Sequence, residues 1–506
     1  MLFAINKIKY LGLPYFWDEA WVYAPAVFDM FENGPSLSPN SIDPLLSRGH
    51  PILFHFLAVC WMTIFGTSFT AVHSFSVFVA VLLIVAVYKL GEALASKSVG
   101  FWSAALLAMQ PIFIQQAGFL LPEIMLALFV TLTVLFYLKR KMWLYLAAGS
   151  AMLLTKETGI LVIGMLGLVE LFEFVRNREF TIRRLVETLW VGSPVAIAFL
   201  YFLAQYMQFG WFMFPEHVSM FETDPEIWLK KREIVFRLFF LEQHRYIIVS
   251  VVLAVAAFGW RKAHNVLRVF YLMILLTTVT MNGLESWLPT WYYENVFPLI
   301  LIITIIWTGA YLKKEGTKNH LFFPFVGLIV TAMLIFTSTH FIIGRYLLYL
   351  IPLLFLALAV LAYTALKENR GLFQMSMLCL GLMFYHLANR ADAKLSTLDN
   401  MHYVDQIHVL QKGIEYLETE TEFSECVAGS FLIQQALMFP VQGYVTEDNK
   451  PACVKNHVAP EAQYVMLISY EPDANLEWVK VDKNFVQVFA ETRGRFSAWV
   501  YKRIGG

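Results

Sequence analysis

Charged side chains are scarce. Asp, Glu, Lys and Arg make up 15% of the 506 residues, against roughly 25% in an average soluble domain. So few charges cannot cover a soluble surface. With 58% hydrophobic residues and a mean hydropathy of +0.59, the composition is that of a polytopic membrane protein. Neither sign is in excess: 38 Lys and Arg balance 38 Asp and Glu, so no global basic field points to nucleic acid. Cysteine is sparse, at four residues. Cys60 and Cys379 lie in apolar runs and read as small buried hydrophobes. Cys426 and Cys453 lie in the polar C-terminal tail, where they either pair, if the tail is extracytoplasmic, or stay as two free buried thiols. Internal repeats and low-complexity segments are absent.

Residues 1–16 are mildly apolar but are interrupted by Lys7, Lys9, Gly12 and Pro14. They fall short of the roughly 20 apolar residues of a span and lack the small-residue cleavage site of a signal peptide. From about residue 50 the apolar runs follow almost without pause. They predict twelve spans, near 69–91, 99–114, 122–138, 143–155, 157–175, 186–208, 244–261, 266–283, 291–312, 320–337, 346–366 and 371–388. The 143–155 run is short and reads as one arm of a helical hairpin with its successor. The run 51–66 begins at Pro51, ends at Gly66 and reads as a helix lying along the interface.

Basic residues sort the loops. Lys89 and Lys97; Lys139, Arg140 and Lys141; Arg176, Arg178, Arg183 and Arg184; Arg261, Lys262 and Arg268; Lys313, Lys314 and Lys318; and Lys367 and Arg370 fall in every second loop. Those loops are expected to be cytoplasmic. The alternate loops hold Asp18-Glu19, Glu123, Lys156-Glu157, the 209–243 segment, Glu285, Glu294 and Arg345, and are expected to face outward. The same alternation puts the tail from about 389 outside. In that tail, 401–420 has helical spacing, and β-like runs start at Cys426, Tyr464, Phe485 and Ser497. They predict a small α/β domain of roughly 110 residues.

Several charged motifs fall on the outward side. Trp17-Asp18-Glu19-Ala20-Trp21 sets an acidic pair between aromatics. A carboxylate there can take a proton from an incoming hydroxyl or amine; alone, it reads as a solvated loop acid. Arg48-Gly49-His50-Pro51 again puts charge ahead of an apolar helix. Leu121-Pro122-Glu123 places a carboxylate in the first turn of a span, which a helix-dipole acid also explains. Thr155-Lys156-Glu157 sits between two apolar helices. A charge that deep costs about 2.5–3.5 kcal/mol on insertion scales, so it faces a polar cavity or a partner; a Lys–Glu pair at a helix turn is the plainer reading. Gly344-Arg345-Tyr346 opens a span containing Pro352, with a snorkelling interfacial Arg as the plainer reading. The 209–243 segment reads as an amphipathic surface helix, or as a lid carrying Glu216 and His217 to a substrate. His73, His244 and His340 read as interfacial or structural.

Together these groups would line one outward cavity, with Asp18, Glu19 and Glu123 as carboxylates and Lys156, Arg345, His50 and Arg48 as cationic groups. Converging cations suit a departing phosphate, and carboxylates suit deprotonation of an acceptor. That mixture matches sugar transfer from a lipid phosphate. Such a donor needs no nucleotide-binding fold, and the sequence has no Gly-rich phosphate loop, no Asp-x-Asp motif and no zinc spacing.

At these residues the chain resembles the polyprenol-phosphate-sugar-dependent GT-C glycosyltransferases, in their protein mannosyltransferase and aminoarabinose-transferase branch. The likeness rests on Asp18-Glu19, Arg48-Gly49-His50-Pro51 with an apolar helix ending Phe65-Gly66, Pro122-Glu123, Leu154-Thr155-Lys156-Glu157, and Arg345-Tyr346-Leu347-Leu348 with Pro352. Their order and spacing match over about 1–390. The resemblance implies an all-α polytopic membrane protein of the GT-C fold, with about 12 spans here and thirteen in the family. It implies a catalytic domain over 1–390, with outer loops 15–68 and 209–243, and an extracytoplasmic α/β domain over 391–506. It further implies inverting transfer from a polyprenyl-phosphate sugar to a lipid, glycan or protein acceptor at the outer face of a prokaryotic cytoplasmic membrane. Asp18 would be the base or the carboxylate that orients the acceptor, with Glu19 as second choice and Glu123 orienting the acceptor or the base. Lys156 and Arg345, with His50 and Arg48, would hold the donor phosphate; Glu216, His217 and Tyr346 would belong to the lid or substrate loop.

No cofactor or metal is expected, although the carboxylates leave a divalent cation open. Membrane lipids are expected partners and nucleic acid is not. Two departures stand out. The family has a span before the acidic pair, whereas 17 residues precede Asp18 here. Fully helical they would cover about 25 Å, which Gly12 and Pro14 oppose, so a truncated start is the expectation. The basic residue that aminoarabinose transferases place three after the aspartate is Trp21, so their lipid A acceptor is not carried over. The alternatives from other classes are a multi-pass transporter or lipid flippase, and a non-catalytic scaffold for envelope assembly.

Overall fold

The computed structural model of the chain describes residues 7–178, 180–240, 297–314, 320–340, 342–388, 401–421 and 423–504, and within 241–296 residues 243, 245–259, 265, 268–269 and 271–273. Most of the run expected over 266–283, with His244, Glu285 and Glu294, lies outside them. The long first part is helical and the end of the chain carries a small sheet. A π-helical turn, Glu19–Tyr23, leads into α1 (Ala24–Asn33), followed by α2 (Leu53–Phe65), α3 (Phe69–Leu94), α4 (Lys97–Ala108), α5 (Glu123–Leu138), α6 (Met142–Thr155) and α7 (Ile160–Asn177). Next come α8 (Ile182–Trp190), α9 (Ser193–Phe209), α10 (Pro225–Phe240), α11 (Arg245–Gly259), α12 (Phe297–Lys314), α13 (Phe322–Ser338), α14 (Leu350–Ala365) and α15 (Arg370–Ala388).

By length and composition, two helices among the described residues suffice to cross a membrane: Phe69–Leu94, and Glu157–Asn177, in which a 3-10 turn runs into α7. The number rises to four if each of two bent helix pairs counts as one span. Several apolar runs are broken where the sequence read them as continuous. The 99–114 run stops at Ala108, and a short helix Pro111–Gln116 restarts it; Pro111 supplies no backbone N–H to continue α4. The 186–208 run bends by 48° between α8 and α9, where Gly192 and Pro194 intervene. Helix starts follow local chemistry. Ser68, Ser96 and Thr181 side chains accept from Ala71, Val99 and Arg184 N–H groups at the heads of α3, α4 and α8, satisfying donors the helix leaves unpaired.

After α15 the chain forms α16 (Tyr403–Thr421), β1 (Cys426–Ala428), α17 (Phe431–Met438), β2 (Val454–Lys455), β3 (Ala462–Ile468), β4 (Phe485–Arg493) and β5 (Phe496–Arg503). The sheet order is β2-β1-β3-β5-β4, parallel from β2 to β3 and antiparallel through β5 and β4. Val427, Met466, Ala498 and Val500 are buried beneath α16 residues such as Leu410 and Ile414. Cys426 and Cys453 form a disulfide between β1 and the residue ahead of β2. This unit docks on the N-terminal loop: the Tyr15 N–H donates to the Gln442 carbonyl at 3.0 Å, and the Phe16 and Tyr470 rings meet edge to face at 6.1 Å.

Two helices of the core cross very closely. At Gly91 an added Cβ would stand 2.6 Å from Gly100 Cα, and at Gly100 it would run into the Tyr88 carbonyl, so α3 and α4 touch backbone to backbone. Gly100→Val should force the two helices apart and cost roughly 1–3 kcal/mol. A Tm lowered by several degrees in detergent is expected; an unchanged Tm would contradict the crossing.

Candidate active site

A cavity of about 720 Å³ opens among the N-terminal loop, the 48–50 loop, the start of α5, the α6–α7 break, α9, the 212–221 segment, the end of α13 and residues 343–349. Each charged group reaches it through a local break in regular structure. Asp18 precedes the π-helical turn and follows Trp17, held at a left-handed φ of 51°. Glu123 opens α5 directly after Pro122. Lys156 is extended (φ −157°, ψ 132°) between α6 and the 3-10 turn, which turns its side chain off the helical path. Arg345 sits in a single 3-10 turn, Gly344–Leu347. Arg48 adopts φ 49°, and Gly49 (φ 68°) lets Trp211 and Phe214 pack where a Cβ would collide with them.

These charges form one alternating chain. Arg345 pairs with Asp18 Oδ2, and its Nε lies 3.5 Å from Glu123 Oε1. Glu123 Oε1 also accepts from Lys156 Nζ at 3.0 Å. Lys156 Nζ in turn stands 3.9 Å over the Tyr346 ring. Glu123 is 2% exposed and Lys156 and Arg345 each 6%, so none of them has bulk water to solvate it. Glu123 Oε2 makes no hydrogen bond among the described residues. The Trp21 indole N–H donates to Asp18 Oδ1 at 3.1 Å, and the Arg48 guanidinium lies 4.3 Å over the Trp21 ring.

Beside the chain is a histidine group. His50 Nδ1 lies 3.1 Å from Glu157 Oε2, and its ring is 4.8 Å from that of His217, itself 6.5 Å from His340. Burial, followed by the neighbouring His50, holds the His217 imidazole down at about 4. Val195, Phe199, Phe202, Phe214, Met333 and Phe336 give the rest of the cavity an apolar wall. Among the described residues no three His, Cys, Asp or Glu side chains are grouped as metal ligands. Chemically the cavity combines carboxylates, fixed cations and an apolar surface, the set needed to move a group between an anionic leaving group and a nucleophile.

Residues 49–207 match the family model described as dolichyl-phosphate-mannose-protein mannosyltransferase. The crystal structure of ArnT from Cupriavidus metallidurans in the apo state is similar over 98% of this chain and 96% of its own, at 14% identity and a TM-score of 0.51. The structure of ArnT from the same organism bound to undecaprenyl phosphate is similar over 99% and 96%, at 14% identity and a TM-score of 0.52. The matched segment is similar to that family's model, and the likeness to the two structures shows that the chain shares their fold. No curated protein matches it. The transporter and flippase alternative is not favoured by these likenesses.

Of the residues singled out in the sequence, Asp18, Glu123, Lys156, Arg345, Arg48, His50, His217 and Tyr346 line the cavity. Glu19 and Glu216 do not. Glu19 is 1% exposed and its oxygens are occupied: Oε1 accepts from His73 Nε2 at 2.8 Å and the Leu120 N–H at 2.6 Å, and Oε2 from the Phe16 N–H at 3.4 Å. His73 Nδ1 faces the Leu11 carbonyl at 2.8 Å, so both ring nitrogens meet acceptors, an arrangement that an imidazolium satisfies. Glu19 therefore ties the loop to α3, and His73 is structural as expected. Glu216 is exposed, on the outer side of the short helix Pro215–Ser219. Glu157 and His340 line the cavity as well. Glu157 adjoins Lys156 in the motif already noted; nothing in the local sequence of His340 signals its place.

The 212–221 segment packs on the 48–50 loop through neutral His217, which faces His50, Glu157, His340 and Arg48. A base held below its ordinary value of 6.5 favours the packed state fully above that pH, and the advantage is lost as pH falls through about 4. Proteolytic cleavage within 209–222 should thus be slow at pH 7 and rise steadily as the pH falls from 6.5 to 4. His217→Phe should flatten that profile. A native profile already flat over this window would contradict the packing.

Proposed function

We propose that the chain transfers a sugar from a polyprenyl phosphate to an acceptor hydroxyl or amine, with inversion at the anomeric carbon. The observation that carries this reading is the union, in one cavity, of the Asp18–Arg345–Glu123–Lys156 chain with a long apolar wall. A lipid phosphate has those two parts, a charged head and a hydrocarbon tail. That ArnT of the same fold has been captured with undecaprenyl phosphate supports the donor class. In this reading the acceptor oxygen or nitrogen attacks the anomeric carbon while the bond to the phosphate oxygen breaks, its electron pair leaving with the phosphate. Asp18 receives the acceptor's proton. Arg345 and Lys156, with Arg48 and His50 nearby, stabilise the departing phosphate, and Glu123 holds both Arg345 and Lys156 in place until it arrives.

A single displacement, in which the acceptor attacks opposite the departing phosphate, inverts the anomeric carbon. Of the 209–243 segment, the 212–221 part serves as the lid, with His217 turned towards His50. About twelve spans over 1–390, with the cavity and an α/β domain over 391–506 outside a prokaryotic cytoplasmic membrane, complete the proposal. The Cys426–Cys453 disulfide supports the orientation, because disulfides persist in oxidising compartments.

With a synthetic polyprenyl-phosphate sugar as donor, Asp18→Asn should lower kcat by about 10²–10⁴-fold and leave the donor KM near its native value. Lys156→Met should instead raise the donor KM and weaken binding of the free polyprenyl phosphate, while also lowering the Tm because Glu123 loses a buried partner. Full turnover by Asp18→Asn would overturn the base assignment.

A further inference from the structure

Among the described residues, the side chains that hydrogen-bond or pair with the Asp18 carboxylate are Arg345, on Oδ2, and Trp21, on Oδ1. Arg345 is fixed by its burial and by Glu123. Trp21 is half-buried, and its ring has Arg48 on one side. Its other aromatic neighbour comes from the far end of the chain: the Phe431 ring meets it edge to face, with centroids 5.5 Å apart and planes at 89°. That is the geometry aromatic rings prefer.

Phe431 is held firmly for this contact. The Ser430 hydroxyl donates to Glu471 Oε2 at 2.6 Å and the Leu432 N–H to the same oxygen at 3.0 Å, so both residues flanking Phe431 are tied to one carboxylate. The Gly429 N–H donates to the Lys455 carbonyl at 3.0 Å, which joins the segment to the sheet edge. Phe431 remains 42% exposed, so burying its own surface in the C-terminal core is not what places it.

We infer that Phe431 is a positioning residue for the transfer: the C-terminal domain uses it to brace Trp21, and Trp21 in turn orients the Asp18 carboxylate. The sheet domain thus completes the catalytic constellation. This inference rests on the assignment of Asp18 as the base. An effect on orientation appears in kcat, because a small misplacement of a reacting group costs rate, and leaves donor binding by Lys156 and Arg345 intact.

The test is a mutant cycle on the full chain, with the polyprenyl-phosphate sugar donor. Phe431→Ala should lower kcat roughly tenfold with the donor KM unchanged, and Phe431→Tyr, which keeps the ring, should restore it. If Phe431→Ala fails to fold, Phe431→Leu tests the same point with the volume largely kept. The double variant Asp18→Asn/Phe431→Ala should be no slower than Asp18→Asn alone, because Phe431 acts through Asp18. Native kcat in both Phe431→Ala and Phe431→Leu, or a fully additive loss in the double variant, overturns the inference while leaving Asp18 as base. Native turnover by Asp18→Asn overturns the base assignment, and the inference with it.

Discussion

The structure turns on a chain of buried charges that cannot exist singly. Moving one charged group out of water costs several kcal/mol even after relaxation, and Glu123, Lys156 and Arg345 are all nearly inaccessible. Each is tolerated because its neighbour has the opposite sign: Asp18 beside Arg345, Arg345 beside Glu123, Glu123 beside Lys156. The members come from a loop, a helix start, a helix break and a 3-10 turn. Electrostatics therefore constrains four distant parts of the chain to meet at one place. The same pairing keeps cations oriented before any ligand is present, which is the form of preorganisation that stabilises a developing anion without further rearrangement.

Adjacent acids are divided between two jobs by this constraint. Asp18 turns into the cavity and Glu19 turns away into a pocket of donors formed by His73 and the backbone of Leu120 and Phe16. Three donors hold this buried carboxylate away from the cavity and fix the loop on which Asp18 is carried. The two neighbours therefore face different surroundings, Glu19 packed in the interior and Asp18 on the cavity wall.

Much of this was legible in the sequence, and for stated reasons. A charge beside an apolar run is costly unless it has a polar destination, so Asp18, Glu123, Lys156 and Arg345 stood out, and all four line the cavity. Short β-like runs at Cys426, Tyr464, Phe485 and Ser497 correspond to strands, because runs rich in β-branched and aromatic residues between turn-rich polar segments mark strands. The division between Asp18 and Glu19 was not legible, since His73 lies 54 residues away along the chain. Nor was the contact between the Trp21 and Phe431 rings, which are far apart along the chain. Breaks inside apolar runs were underread, although Pro111 and Pro194 mark them. Some arginines counted as topological markers have structural duties too: Arg140 and Arg184 pair with Glu170, which also accepts from the Tyr137 hydroxyl.

The roof of the cavity shows how tightly packing and chemistry are bound together. Arg48 and His50 present their side chains to the cavity, while Gly49 between them has none, and Trp211 and Phe214 occupy the space a side chain would need. A residue with a Cβ there would push the 212–221 segment away and with it His217, which meets His50. On the far side the same segment is held by the Glu222 N–H donating to the Thr339 carbonyl at 2.8 Å and by Lys231, which pairs with Glu222 and donates to the His340 carbonyl. One short stretch therefore spans from the loop bearing Arg48 to the loop ahead of Arg345. Displacing that stretch would move Phe214 and His217 at the cavity wall and disturb the packing around both cation-bearing loops, so the packing of this segment and the setting of the nearby charges are physically linked.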